Sequence, residues 1–356
     1  MGSVRSYEHV TDLPVQIAGV ELIGRETETS YGFTRPTTVI RLRGPDGAVG
    51  VGEDVTTDKE DHDRFQRVGL PSFAGTHTLD EFSDRVAEFD FVTTGGTGDD
   101  WNEPGRARRW ALESAALDLG LRQAGHTLGE RLDRSYDPVR FVVSLRLSDP
   151  PRPDLLEGWR SVDPSLEFKL DVAPDWDSSF VDVVAGAVGD AVQVLDFKAS
   201  GGGDDDRVST DPDLYREVAE TFAGATLEDP LLEGPCWEAV ANERARCSFD
   251  GAITGVESIR ALPFEPRWLN IKPARFGSVA SLFDTLDYAL ERDITLYGGG
   301  MFELDRGRSH LHALASLFYP DGPNDVAPPV YNEPEPSADA PASPLSPPTG
   351  SLGLGF

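Results

Sequence analysis

In the second half of this chain, ionisable residues close one short apolar run after another. Lys169 and Asp171 close the run Leu166 to Val172, and Asp196 and Lys198 close the next. Glu228, Asp250 and Lys272 end three more. Asp196, Glu228 and Asp250 therefore come from three consecutive runs. Three carboxylates brought together are costly unless a cation neutralises them. Hard oxygen ligands that leave room for water and substrate point to Mg²⁺. Any one of these acids alone is as readily the partner of an arginine. The lysines carry a second signal. The chain has 32 Lys+Arg, yet only Lys59, Lys169, Lys198 and Lys272 are lysines. A desolvated amine can act as acid or base, which a guanidinium does not do. Strand period two puts Lys169 with Asp171, and Asp196 with Lys198, on common sides.

The elements that would position these groups read as parallel β/α units. Apolar runs at Phe141 to Leu147, Leu166 to Val172, Ala191 to Phe197, Ala225 to Glu228, Cys247 to Asp250, Trp268 to Ile271 and Ile294 to Tyr297 alternate with helical stretches. Examples are Asp213 to Phe222 and Ser278 to Glu291. A weak eighth run at Asn324 to Ala327 would complete a (β/α) barrel, whose strand ends form the active face. A doubly wound sheet is the alternative. Gly201-Gly202-Gly203 runs into Asp204 to Asp206, which would repel a phosphate, so no dinucleotide loop supports that alternative.

Before residue 131 the pattern is α+β. Val15 to Glu28 alternates loosely. Thr37 to Arg43 and Ala48 to Glu53 flank the turn Gly44-Pro45-Asp46-Gly47, which predicts a hairpin. Short helical patterns lie between Asp58 and Phe91, and Thr93 to Asp100 reads as a loop. Pro104 to Ala124 reads as a helix with Gly125 past its end. The expected division is an α+β domain over 1–130, a barrel over 131–325 and a Pro-rich segment over 326–356. That last segment is either a disordered tail or packs back on the first domain.

Composition narrows the partners. The formal charge is −30, with 62 Asp+Glu, which argues against nucleic acid and anionic membrane. It fits solubility in concentrated salt and a halophilic source. The 39% hydrophobic content is enough for a core. Two cysteines make no disulfide framework, and no apolar leader or membrane span is visible. The expectation is a cytoplasmic protein.

The sequence resembles the enolase superfamily, in its mandelate racemase and muconate lactonizing branch. Thr38 to Leu42 through Val51-Gly52-Glu53 is similar to the first hairpin of that family's capping domain. Ala111 to Leu119 is similar to the helix leading into its barrel. Leu227-Glu228-Asp229-Pro230, Asn270-Ile271-Lys272-Pro273 and Gly300-Met301-Phe302-Glu303 resemble its fourth-, sixth- and seventh-strand motifs. The resemblance implies a TIM-like, modified (β/α) barrel with an N-terminal α+β capping domain, and an enzyme, lyase or isomerase. It implies Mg²⁺ held by Asp196, Glu228 and Asp250, a small carboxylate substrate, and a homo-oligomer. Lys272 would be the acid/base that handles the α-proton, and the loop around Ser30 to Phe33 would close over the site.

Three departures qualify this. The family's second strand often reads Lys-x-Lys, where this chain has Lys169-Leu170-Asp171. Its third often reads Asp-x-Asn, here Asp196-Phe197-Lys198. Its fifth often reads Asp-Glu, here Asp250-Gly251. A lysine moved to the neighbouring strand accounts for the first two: Lys198 faces the site and Asp171 pairs with it, with Lys169 as the reserve candidate. Racemisation, cycloisomerisation and elimination stay open, with one-base chemistry leaning towards dehydration. A non-catalytic, metal-binding member of the fold is the competing reading, and a different barrel such as a sugar isomerase or aldolase is a weaker one. Arg306 and Arg308 are read chiefly as solvated loop residues that could hold a carboxylate. His310 and His312 are read as structural or peripheral, and Tyr297 and Trp268 as barrel packing.

Overall fold

The computed structural model describes residues 5–29, 33–89, 91, 104–147, 152–201, 208–333, 335–347 and 351–356. The loop expected at 93–100, positions 30–32 of the closing loop and the acidic run at 204–206 lie outside the described residues.

The first part of the chain is α+β. Strands β2 (Gly19–Glu28), β3 (Thr34–Arg43) and β4 (Val49–Asp54) form an antiparallel sheet, and β1 (Pro14–Ile17) pairs with β5 (Gly75–Thr78). Helices α1 (Lys59–Val68), α2 (Leu79–Ala87) and α3 (Pro104–Ala124) complete it. The sheet meets α3 along β4, and two glycines allow it. A Cβ on Gly50 would stand 2.1 Å from the carbonyl oxygen of Ala115, and one on Gly52 1.8 Å from that of Ala111. Strand backbone thus lies directly on helix backbone, a contact only glycine permits. Helix α3 also buries Arg108, Glu113 and Asp118. Asp118 accepts from Val51 N at 3.0 Å and from Leu354 N at 2.8 Å, so it ties the sheet to the end of the chain.

The second part follows the expected alternation. Strands β6 (Val143–Leu145), β7 (Phe168–Asp171), β8 (Val192–Asp196), β9 (Thr226–Glu228), β10 (Cys247–Phe249), β11 (Trp268–Ile271) and β12 (Thr295–Gly298) pair parallel in that order. The eighth position is held by single bridges: Asn324 to Phe141 on one side and Asp325 to Gly299 on the other. The curled sheet thus closes into a barrel. Side-chain bonds reinforce the weak closure. Asn324 accepts from Gly298 N at 2.6 Å and donates to the carbonyls of Arg140, Tyr319 and Gly322 at 2.8, 3.0 and 3.0 Å.

Helix α4 (Arg306–Phe318) joins the two parts. Glu53, on β4, accepts from Leu304 N at 2.7 Å, Asp305 N at 3.0 Å and Gly307 N at 3.0 Å, which satisfies the start of the helix. The described end of the chain covers its outer side: Phe356 packs on His312 with ring centroids 5.4 Å apart. The Pro-rich segment also pairs Leu345 with Val139 and Gly353 with Thr127, and Tyr331 stacks on Trp159 at 4.6 Å. Among its described residues it is ordered packing, not a free tail. Because the helix is covered on all sides, His310 and His312 are both buried despite their period-two spacing. They are structural, and not peripheral. His312 Nε2 donates to the Val326 carbonyl at 2.6 Å.

Two predictions follow from this packing. Asn324→Ala strips the barrel closure of its staple. Each buried backbone group left unpaired costs about 1–3 kcal/mol, seen as a lower denaturant midpoint with an unchanged slope. Burial lowers both imidazoles to about 4, against roughly 6.5 when unfolded. The unfolded chain therefore takes up protons first. Stability is complete above pH ~6.5 and falls by about 3 kcal/mol per imidazole as pH drops towards ~4. His310→Met removes one of the two contributions, so its stability declines less steeply over that window in acid titrations of unfolding.

Candidate active site

The barrel register creates the electrostatic problem that defines the site. Asp171 on β7 pairs in register with Asp196 on β8, which pairs with Glu228 on β9. Residues in register on neighbouring strands point to the same face, so three acids stand side by side. Asp250 follows at the end of β10.

Cations of this chain separate them. Lys169, 1% exposed, donates from Nζ to Glu228 Oε1 at 2.5 Å and lies 3.0 Å from Asp196 Oδ2 and 3.3 Å from Asp325 Oδ2. Lys198 Nζ lies 2.6 Å from Asp196 Oδ2 and 2.9 Å from Asp171 Oδ1. Its φ of 56° is in the left-handed region, and its backbone N–H also donates to Asp196 Oδ1 at 3.0 Å. A strained, non-glycine residue at a strand end is a common mark of a functional site. Lys272 Nζ lies 2.8 Å from Asp250 Oδ2, and Arg275 bonds Asp250 Oδ1.

These contacts set the protonation states. Burial opposes the charge on Lys169, but Asp196, Glu228 and Asp325 outweigh it and raise its pKa well above the usual lysine range. Burial likewise disfavours charge on Lys198, yet Asp171 and Asp196 hold it protonated. Burial pushes Asp196 up, but the ammoniums of Lys169 and Lys198 prevail and hold it far below the usual carboxylate range. Glu228 is raised to about 8, first by burial, and also by the charges of Asp196 and Asp250. Asp171 is raised by burial despite Lys198.

Above this layer opens a cavity of about 380 Å³. Lys169, Asp171, Lys198 and Lys272 line one wall or another of it, so the structure gathers all four expected acid/base residues. Strand β7 and strand β11 are second and sixth of eight positions, so Asp171 and Lys272 lie across the barrel from each other. Phe33 and Phe302 meet edge to face over the cavity at 5.9 Å. Arg308 is buried and lines the cavity 3.7 Å from Glu303, whereas Arg306 is exposed. Lys59 is a surface lysine paired with Glu26.

Asp196, Glu228 and Asp250 lie beneath the cavity with ammonium and guanidinium groups on their oxygens. Among the described residues no three His, Cys, Asp or Glu side chains are grouped to hold a metal. The donor chemistry nevertheless suits a hard divalent cation. Asp171, Asp196, Glu228, Asp229, Asp250 and Asp325 face four cations in contact with that cluster: Lys169, Lys198, Lys272 and Arg275. Fully ionised, that leaves an excess of two negative charges.

Sequence reasoning missed several partners. Tyr297, read as packing, donates its hydroxyl to Glu228 Oε2 at 2.5 Å. Asn270 donates to Glu228 at 3.2 Å; its spacing of two from Lys272 was the available signal. Asp325 sits on the weak eighth segment, whose position only closure defines.

Comparison with known proteins now bears on this geometry. Residues 8–131 match the N-terminal domain and residues 135–333 the C-terminal domain of a family described as a domain of unknown function, DUF8230. The chain belongs to that family. It is similar to the N-succinylamino acid racemase of Amycolatopsis sp, 29% identical over 221 residues, 60% of this chain. The match spans 58% of that relative's length, less than two thirds of it. Among solved structures it superimposes on muconate lactonizing enzyme from Pseudomonas putida with TM-score 0.66 at 19% identity, covering 87% of this chain and 88% of that one. A dipeptide epimerase from Methylococcus capsulatus complexed with Mg ion gives TM-score 0.62 at 18% identity, covering 85% and 87%. The fold is that of the enolase superfamily, a barrel with an N-terminal α+β domain. No helix among the described residues is long and apolar enough to cross a membrane.

Removing Lys169 strips buried Glu228 of its ion-pair partner and leaves Asp196 and Asp325 one cation short. Lys169→Met is expected to lose about 3–5 kcal/mol at neutral pH, measured by chemical denaturation. The loss shrinks in acid as those carboxylates take up protons.

Proposed function

We propose that this protein is an enzyme of the isomerase or lyase type that removes the proton next to a carboxylate in a small substrate, with Mg²⁺ as cofactor. The observation that carries the reading is the unequal tethering of the cavity lysines. Lys169 is bound by three carboxylates and Lys198 by two, so both stay charged. Among the described residues Lys272 forms an ion pair only with Asp250, which Arg275 also holds. Asp250 keeps a cation without Lys272, so Lys272 is the lysine of the three suited to act as base.

The opposite wall supplies the acid. Lys198 carries a proton at the cavity surface, and Asp171 beside it is pushed towards the protonated form. That pair would protonate a leaving group. One base facing an acid favours elimination or cycloisomerisation over racemisation, which needs a base on each face. Asp196, Glu228 and Asp250 would hold the metal. When bound, the metal supplies positive charge to the substrate carboxylate as negative charge develops next to it. The Mg ion of the similar dipeptide epimerase supports this choice of cofactor. Phe33 and Phe302 would exclude water above.

A non-catalytic reading has one observation in its favour: every expected metal ligand already carries a cation of the chain. Exchange of the α-proton of carboxylic acids with deuterated water, followed by NMR in Mg²⁺ and high salt, separates the two. Wild type should catalyse exchange for some acid, and Lys272→Ala should slow it by roughly 10²–10⁴-fold. Absence of exchange in wild type, or full exchange in Lys272→Ala, defeats the catalytic reading.

A further inference from the structure

Asp171, Asp196, Glu228, Asp250 and Asp325 each lie within 4.0 Å of a lysine nitrogen. Asp229, in the same cluster, differs. It is 5% exposed and has no ion pair among the described residues. Backbone takes the place of a cation: Oδ1 accepts from Asp250 N and Oδ2 from Gly251 N, both at 2.9 Å. Its own N–H donates to the Ser248 carbonyl at 3.0 Å, and its carbonyl accepts from Ala199 N at 3.0 Å. Its φ of 43° is left-handed, a conformation costly for an aspartate. One residue thus straps together the ends of β8, β9 and β10, the strands of Asp196, Glu228 and Asp250. Asp229 does not line the cavity; it borders a separate groove with Leu231, Phe249 and Leu262.

The strap accounts for a departure in the sequence. Gly251 stands where the resembling family often has a glutamate. A Cβ on Gly251 would collide with Cβ and Oγ of Ser200 and stand 3.4 Å from Asp229 Oδ2. Glycine is what lets the Gly251 N–H reach Asp229 in so narrow a space.

We infer that Asp229 is a positioning residue for the metal: it clamps the Asp250–Gly251 backbone and so fixes the direction of the Asp250 carboxylate independently of Lys272 and Arg275. This rests on the reading in which Asp196, Glu228 and Asp250 hold Mg²⁺. Groups that orient a metal ligand typically govern 10–100-fold of the affinity. Asparagine at this position keeps the shape, but must turn its amide NH₂ toward one of the two backbone N–H groups.

The test titrates Mn²⁺ alone into the full-length, metal-free protein, followed by electron paramagnetic resonance. The site in question is the one lost in Asp250→Asn. Asp229→Asn should weaken it roughly 10–100-fold, and should speed amide hydrogen exchange of the peptide spanning Asp250 before metal is added. Gly251→Ala should weaken the site in the same direction, and Ser200→Gly in that background should restore it. An unchanged affinity in Asp229→Asn, even with a lower melting temperature, assigns Asp229 to the fold alone and overturns the inference; the proton-abstraction reading then stands without it. Should Asp229→Asn fail to fold, an unchanged affinity in Gly251→Ala overturns it instead. If no Mn²⁺ site depends on Asp250, the metal reading and the inference fall together.

Discussion

The structure depends on one buried ammonium. Parallel register sets Asp171, Asp196 and Glu228 side by side on one face of three neighbouring strands. Left alone, such a row would push the barrel apart or take up protons. Lys169 sits between two of these acids and reaches Asp325 on the closing segment as well. It therefore ties the second, third, fourth and eighth positions of the barrel at their centre. A lysine does this better than an arginine here, because its point charge can face three carboxylates from different directions.

That arrangement divides labour among the other cations. With Lys169 committed, Lys198 neutralises the remaining pair of acids, and its left-handed backbone brings its amine back over Asp196. Asp250 receives both Lys272 and Arg275. Lys272 thus shares its one carboxylate with a second cation, unlike Lys169 and Lys198. The cations differ in how they meet this row of carboxylates: Lys169 and Lys198 are each pinned by several acids, whereas Lys272 shares a single acid.

The α+β part takes part in this less through its own side chains at the site than through how it holds the loops around it. Glu53 caps α4, Arg35 bonds the carbonyl of Met301 at 2.6 Å, and Glu113 accepts from Val279 N at 2.9 Å. All three are buried charges that bridge into the barrel. Glu53 and Arg35 hold the loop after the seventh strand, next to Phe302 and Arg308 of the cavity lining, and Glu113 holds the start of the helix that follows β11. The close seat of β4 on α3, through two glycines, makes this bridge rigid.

The barrel was legible in the sequence because alternation of short apolar runs and amphipathic helices is a local property. The hairpin and α3 were legible for the same reason, through turn residues, Pro and Gly. The four lysines and the strand-end acids were legible because lysine is otherwise nearly absent. Which cation sits on which acid was not legible. That follows from strand register and from one positive φ, neither of which leaves a periodic trace. Tyr297 looked like packing because its ring is buried; only the meeting of β12 with β9 across the barrel brings its hydroxyl to Glu228. Asp325 and the final residues gained their places from barrel closure, a long-range event carried by single bridges. Sequence alone determined the kinds of groups available and the strands that bear them. Tertiary structure decided their pairing, because which lysine meets which acid depends on strand register and barrel closure rather than on any local pattern.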